Sequence, residues 1–232
     1  MTIGIIGAME PEVADLIAAL DNHEVTKTSL CEIHKGLIKD KEVAVVQSGI
    51  GKCAAAAVAA LLIELCKPTA IINTGCAGAI SKDLRIGDLV LSSKAAFHDA
   101  DLTAFGYAKG QMAGHDQFFN ADPMLMAKAG IAAGNMPELK DKVRTGLIVS
   151  GDQFINTIEA KDGIRAIYAD AMVCEMEGAA IAQICVDSNV PYLVIRAVSD
   201  DACERETVTY DEFMPKAAAL SAKLVKSLLP LL

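Results

Sequence analysis

The runs Ala70-Ile71-Ile72 and Leu193-Val194-Ile195 contain no polar side chain. A strand with one face in water alternates apolar and polar residues, whereas a strand that is apolar throughout is buried on both faces, as in a central, largely parallel sheet covered by helices. The rest of the chain supplies the partners such strands need. Short β-branched runs predict further strands at 3–8, 42–48, 88–92, 144–150 and 169–173, around those at 70–74 and 192–198. Helical spacing predicts helices over 11–20, 52–66, 123–134, 177–188 and 211–229. This order is α/β and predicts a three-layer α/β/α sandwich around a mixed, largely parallel sheet. The segment 99–120 fits neither period, is rich in glycine and aromatic residues, and is long for a passive connection, so it reads as a lid or partner-contact loop. There is no internal repeat or low-complexity linker.

Composition narrows the class. Of 232 residues, 53% are hydrophobic and 22% charged, with 17 glycines and 7 prolines, enough to bury a large core and unlike a disordered chain. One domain over residues 1–232 is expected at this length. Acidic residues outnumber basic ones 30 to 21, for a formal net charge of −9. No basic cluster is present to track a phosphate backbone, so no nucleic-acid partner is expected. No stretch approaches the roughly 20 apolar residues that span a bilayer, and no membrane association is expected. The N-terminal apolar run lacks a basic flank and is interrupted by Glu10 and Glu12, unlike a signal peptide. Seven cysteines, with no CxxC spacing, fit a reducing, cytoplasmic setting better than a disulfide framework.

In open α/β sheets ligands bind beyond the carboxyl ends of the strands. Those ends carry Ala8-Met9-Glu10-Pro11-Glu12, Asn73-Thr74-Gly75-Cys76-Ala77-Gly78, Ser150-Gly151-Asp152-Gln153-Phe154-Ile155, Glu175-Met176-Glu177 and Arg196-Ala197-Val198-Ser199-Asp200. A single cleft there would gather carboxylates, an arginine and an aromatic ring. Each also has a plainer reading. Glu10 and Glu12 suit the positive end of a helix, a role assigned to Glu10, while Glu177 and Ser199-Asp200 could be helix caps. Gly49-Ile50-Gly51-Lys52-Cys53-Ala54 fits the dinucleotide pattern, but the acid expected about 20 residues later is missing, so tight strand-to-helix packing is the better account. Cys76 has no histidine motif to activate it and reads as a structural thiol. His98-Asp99-Ala100-Asp101 lacks the further ligands of a metal centre, and Ser48 and Ser150 lack a nucleophile elbow. No metal or cofactor is expected.

Taken in order, Gly4-Ile5-Ile6-Gly7-Ala8-Met9-Glu10-x-Glu12, Ser48-Gly49-Ile50-Gly51-Lys52, Asn73-Thr74-Gly75-x-Ala77-Gly78, Ser150-Gly151-Asp152-x-Phe154-Ile155, Glu175-Met176-Glu177 and Arg196-x-x-Ser199-Asp200 resemble the 5′-methylthioadenosine/S-adenosylhomocysteine nucleosidases, from residue 1 to about 225. The resemblance implies a purine nucleoside phosphorylase-like sandwich, a homodimer, and hydrolysis of the adenine–ribosyl bond of those two nucleosides and of 5′-deoxyadenosine, in methionine salvage and the recycling of methylation by-products. It implies Asp200 as the acid that protonates N7 of adenine, oriented by Ser199 and kept protonated by burial and neighbouring carboxylates. Glu12 would deprotonate the attacking water, with Arg196 positioning that water and keeping Glu12 ionised.

The same resemblance distributes the binding roles. Glu177 would accept from both ribose hydroxyls, Met176 would wall the sugar, Phe154 would stack on adenine and the Ile155 backbone would read its edge. Glu175 would support these from behind, and Ala8, Met9, Ile50, Cys76, Ala77, Gly78 and Tyr210 would complete the substrate-binding set. Leu102, Phe105, Tyr107 and Ala113 would cover the 5′-alkylthio pocket of the partner subunit. Cys76, Ala113 and Tyr210 stand where a familiar member has serine, proline and phenylalanine, which bears on the shape of that pocket. Relatives on this fold use phosphate as nucleophile, which demands cations or a helix N-terminus. Residues 1–23 hold no lysine or arginine, and the first loop presents Glu12, which suits water. The alternatives are a phosphorylase making a sugar 1-phosphate, a non-catalytic adenosine-type sensor, and aminodeoxyfutalosine as an extra substrate.

Overall fold

The computed structural model describes residues 1–200 and 210–232. Strand β1 (Ile3–Gly7) and helix α1 (Glu10–Ile17) lead into the hairpin β2 (Asp21–Lys27) and β3 (Glu32–Ile38), then β4 (Lys41–Gln47) and α2 (Lys52–Cys66). Next come β5 (Ala70–Ala79), β6 (Leu89–Phe97), the short β7 (Phe119–Asn120), α3 (Pro123–Gly134) and β8 (Val143–Ser150). The chain finishes with α4 (Ile158–Ile167), β9 (Ala171–Glu175), α5 (Gly178–Asp187), β10 (Tyr192–Asp200) and α6 (Tyr210–Leu228).

The apolar runs dictate the centre. Ile71, Ile72, Leu193, Val194 and Ile195 are buried on adjacent parallel strands, with Leu193 opposite Ile72, and Ile5 and Ile6 of β1 continue the layer. Helices flank this mixed sheet: α6 lies over β5 and β10 and receives α1 and α3, while α2 packs on α5. The sequence does not announce that part of the sheet closes on itself. β5 pairs with β10, β10 with β6, β6 with β8, β8 with β9, and β9 returns to β5 through Gly78↔Cys174. The length of β5 makes this possible, because its first half pairs with β1 and its last residues remain for β9. The carboxyl ends of β5, β8, β9 and β10 are thereby drawn around one opening.

A register shift in β10 has a local purpose. Val198 pairs with Ala77 and Asp200 with Gly78, so two residues of β10 advance against one of β5. Such a bulge re-aims side chains, and this one brings the Asp200 carboxyl against Gly78, where an added Cβ would stand 2.9 Å from Oδ1. Only a glycine leaves that space.

Four of these elements, β2, β3, β7 and α4, escaped the sequence reading. β2 is exposed along its whole length and its sequence, DNHEVTK, shows no buried face; the helix expected to reach residue 20 ends at Ile17. α4 buries only Lys161 and Ile164, too sparse an apolar stripe to reveal a helix. Among the described residues no helix is long and apolar enough to cross a membrane.

Candidate active site

A cavity of about 410 Å³ opens at the carboxyl ends of the strands, lined from the first loop by Ala8, Met9 and Glu12 and from β5 by Cys76, Ala77 and Gly78. Ile50, Phe154, Ile155, Glu175, Met176, Glu177, Ser199 and Asp200 complete it, with Gln153 and Cys174. Its size suits a drug-sized ligand.

Glu12 stands in the first turn of α1, as the plain capping argument requires, yet its carboxylate also faces the cavity. Oε2 accepts from the backbone N–H groups of Ala8 (2.8 Å) and Met9 (3.0 Å), and Oε1 from the N–H of Cys76 (3.0 Å), with the Cys76 thiol at 3.5 Å. The residue is 3% exposed. Gly75 makes room for it, because a Cβ there would come within 2.5 Å of Oε1 and 3.0 Å of Arg196 Nη1. Glu12 is thus a carboxylate fixed by backbone donors on two separate chain segments.

Arg196, 1% exposed, was expected beside Glu12 to position a water. Its hydrogen bonds go elsewhere: Nη2 donates to Asn73 Oδ1 at 2.7 Å, and Nε and Nη2 both donate to Glu175. The reason is Glu175, a carboxylate buried under the N-terminus of α5, which also accepts from Ser150 Oγ and from the N–H groups of Glu177 and Gly178. That helix end favours an anion, and Arg196 neutralises it. Burial opposes the guanidinium charge, but Glu175, Glu177 and Glu12 outweigh it and hold Arg196 above its ordinary pKa. Arg196 therefore acts on Glu12 through space.

Glu177 accepts from Gly51 N–H at 2.9 Å and lies 3.6 Å from Arg196. Burial, then the charge of Glu175, push its carboxyl up to about 7, against the opposing pull of Arg196 and Gly51. Hydroxyl groups donating to it would favour the ionised form. The shift has a consequence for stability. Between about pH 4.5 and 7 the unfolded chain has released this proton and the folded chain has kept it, so the contribution of Glu177 to stability falls as pH rises. Glu177→Gln is expected to be more stable than the parent at pH 8 by about 2–4 kcal/mol, and little different at pH 4. Urea unfolding at the two pH values measures this, and an unchanged gap between the proteins would contradict it.

Asp200 was expected among carboxylates that keep it protonated. Among the described residues the charged group that meets it is instead the ammonium of Lys161, with Nζ 2.8 Å from Oδ2. The cause is α4, unread in the sequence, which delivers Lys161 from behind the cavity wall. Ser199 Oγ lies 3.4 Å from Asp200 Oδ1 and 3.3 Å from the Ala77 carbonyl, in reach of the orienting role given to it. Cys76 N–H donates to Glu12 at β5, and Gly78, two residues further, touches Asp200. Two strand residues span roughly 6.6 Å, so both carboxyl groups border one ligand-sized space.

Glycines at 49 and 51 have positive φ and turn the chain into α2, whose first N–H groups are already taken: Gly51 donates to Glu177, and Lys52 to Asp152. Asp99 is held by Lys52 Nζ, and Asp101 by Thr103 and Lys109, as hydrogen-bonded loop residues. Phe154 is exposed at the mouth. Of the residues expected at a partner's pocket, Leu102 and Tyr107 are half-buried, Ala113 is exposed and Phe105 is 79% exposed; none lines the cavity of its own chain. The Tyr210 side chain lies outside the described residues. Sequence reasoning missed Gln153 and Cys174, which border motif residues, and Lys161, for which no motif gave a signal.

The chain matches the phosphorylase superfamily over residues 2–230. It is 39% identical to a 5′-methylthioadenosine/S-adenosylhomocysteine nucleosidase from Neisseria meningitidis solved with methylthio-immucillin-A, over 100% of this chain and 99% of that one, with a TM-score of 0.95. It is 40% identical to such a nucleosidase from Colwellia psychrerythraea in complex with adenine, over 99% and 95% of the two chains, with a TM-score of 0.93. A futalosine hydrolase from Helicobacter pylori is 33% identical over 100% and 98%, with a TM-score of 0.91. With the fold shared end to end and the motif residues gathered around one cavity, the chain belongs to the phosphorylase superfamily and, within it, to the 5′-methylthioadenosine/S-adenosylhomocysteine nucleosidases.

Proposed function

We propose that the cavity hydrolyses the N-glycosidic bond of 5′-methylthioadenosine and S-adenosylhomocysteine, releasing adenine and the 5-substituted ribose. The observation that carries this reading is the Glu12 carboxylate, buried and aligned by three backbone N–H groups on the wall of the cavity that also holds Asp200. Cleavage builds positive charge on the sugar and negative charge on the leaving base, so it needs an acid at the base and anionic groups near the sugar. Asp200 gives a proton to N7, Glu12 takes one from the attacking water, and Glu177 accepts the ribose hydroxyls. Phe154 offers a face for adenine.

Water is favoured over phosphate by the charges already in place. The α2 N-terminus that could hold a phosphate donates to Glu177 and Asp152 instead, and Arg196 is engaged by Glu175. The exposed Phe105 supports a homodimer in which the 99–120 loop closes the partner's 5′ pocket. In phosphate-free buffer the protein is expected to release free adenine from methylthioadenosine, at a rate that added phosphate does not raise. A sugar 1-phosphate product would replace this reading with phosphorolysis, and tight binding without turnover would make the chain a sensor. The likeness to a futalosine hydrolase favours including aminodeoxyfutalosine beside the two nucleosides in that assay.

A further inference from the structure

The Lys161 side chain is an anomaly on its helix. α4 buries two residues, Ile164 and Lys161, and the lysine is 3% exposed. Burying an ammonium is costly, and an apolar side chain would anchor the helix at lower cost. The contact that Lys161 makes with the base end of the cavity is its hydrogen bond to Asp200 Oδ2. Cys174, a titratable group against this pair among the described residues, is held protonated by burial, with its thiol pushed up to about 12, so it stays neutral. Arg165 on the same helix is turned to Asp162 and the Ile80 carbonyl.

We propose that Lys161 is a positioning residue for the acid: it fixes Asp200 by one oxygen, leaving Oδ1, beside Ser199, as the oxygen that serves the purine, and faces the charge that remains after proton transfer. This rests on the reading of Asp200 as the acid. In that step the proton passes from the Asp200 carboxyl to N7 while the C1′–N9 bond breaks and its electron pair goes to the base. Water supplies hydroxide to C1′ and its proton to Glu12. Asp200 is left as a carboxylate opposite the ammonium, a charge-assisted hydrogen bond that strengthens as the bond breaks.

A role exercised through Asp200 matters only for a leaving group that needs a proton. Methylthioadenosine needs one at N7, whereas 4-nitrophenyl 5-methylthioriboside releases a stable phenolate without help. Lys161→Met is expected to lower kcat on methylthioadenosine by about 10- to 100-fold, the range of one charge-assisted hydrogen bond. Turnover of the aryl riboside should stay within about threefold of the parent, and KM for the nucleoside should not rise, because Lys161 meets Asp200 and does not itself line the cavity. Lys161→Arg should restore most of the nucleoside rate. Equal losses on both substrates would mark Lys161 as a structural tie and overturn the proposal. So would an undiminished nucleoside rate in Lys161→Met, or a parent that cleaves the nucleoside and not the aryl riboside. A parent that cleaves neither overturns the proposed hydrolysis itself, and this inference with it.

Discussion

Glu12→Gln is expected to lower kcat for adenine release by about 10²- to 10⁴-fold, the range in which a positioned general base contributes. The substitution is close to isosteric and tests charge rather than shape. Glutamine retains one carbonyl oxygen, which can still accept from Ala8 and Met9 N–H and preserve the start of α1. Its amide half cannot accept from Cys76 N–H, and a buried donor left unpaired costs about 1–3 kcal/mol. The variant is therefore expected to fold with a modestly lower melting temperature and to bind adenine nucleosides. The reacting water has a natural place. A carboxylate offers about four lone-pair sites; backbone donors occupy three of them, and the fourth contact is the weak one to the Cys76 thiol at 3.5 Å. A water taking that site is held by Glu12 under the sugar, and glutamine can hold it without accepting its proton. A folded Glu12→Gln protein turning over within about tenfold of the parent would remove Glu12 from the chemistry.

The parts of this fold that the sequence made legible are those set by burial. The apolar runs at 70–74 and 192–198 became β5 and β10, and the helices expected over 52–66 and 123–134 became α2 and α3 almost residue for residue. The site was legible for a related reason: its motifs follow strand ends, which the closed part of the sheet draws around one opening. What stayed hidden depends on relations that are not local. β2 has no buried face to give it a period, and closure of the sheet from β9 to β5 depends on pairing between residues 78–79 and 173–174. Charge pairing was hardest to read. Nothing in the spacing tells Arg196 to prefer Glu175 to Glu12, or joins Lys161 to Asp200 across 39 positions. Both choices are made in three dimensions, where one buried carboxylate at a helix end and one buried ammonium each need a counter-charge.

Asp200→Asn is the complementary test, and its expected result is a loss in kcat of about 10²- to 10⁴-fold with KM close to that of the parent. Asparagine can still accept from Lys161 Nζ through its carbonyl and present its amide N–H to N7, so the purine remains recognised. It cannot give up a proton, so the base must leave as an anion. The aryl riboside, whose leaving group asks for no proton, should lose far less. The variant also leaves the buried Lys161 ammonium facing a neutral partner, and breaking one side of a buried ion pair is destabilising by about 3–5 kcal/mol. The partly exposed Asp200 side chain puts this case at the lower end. Adding Lys161→Met should then recover stability while recovering no activity on methylthioadenosine. That separation distinguishes an acid from a mere counter-ion: if Asp200 served only to neutralise Lys161, removing both charges would restore stability and turnover together.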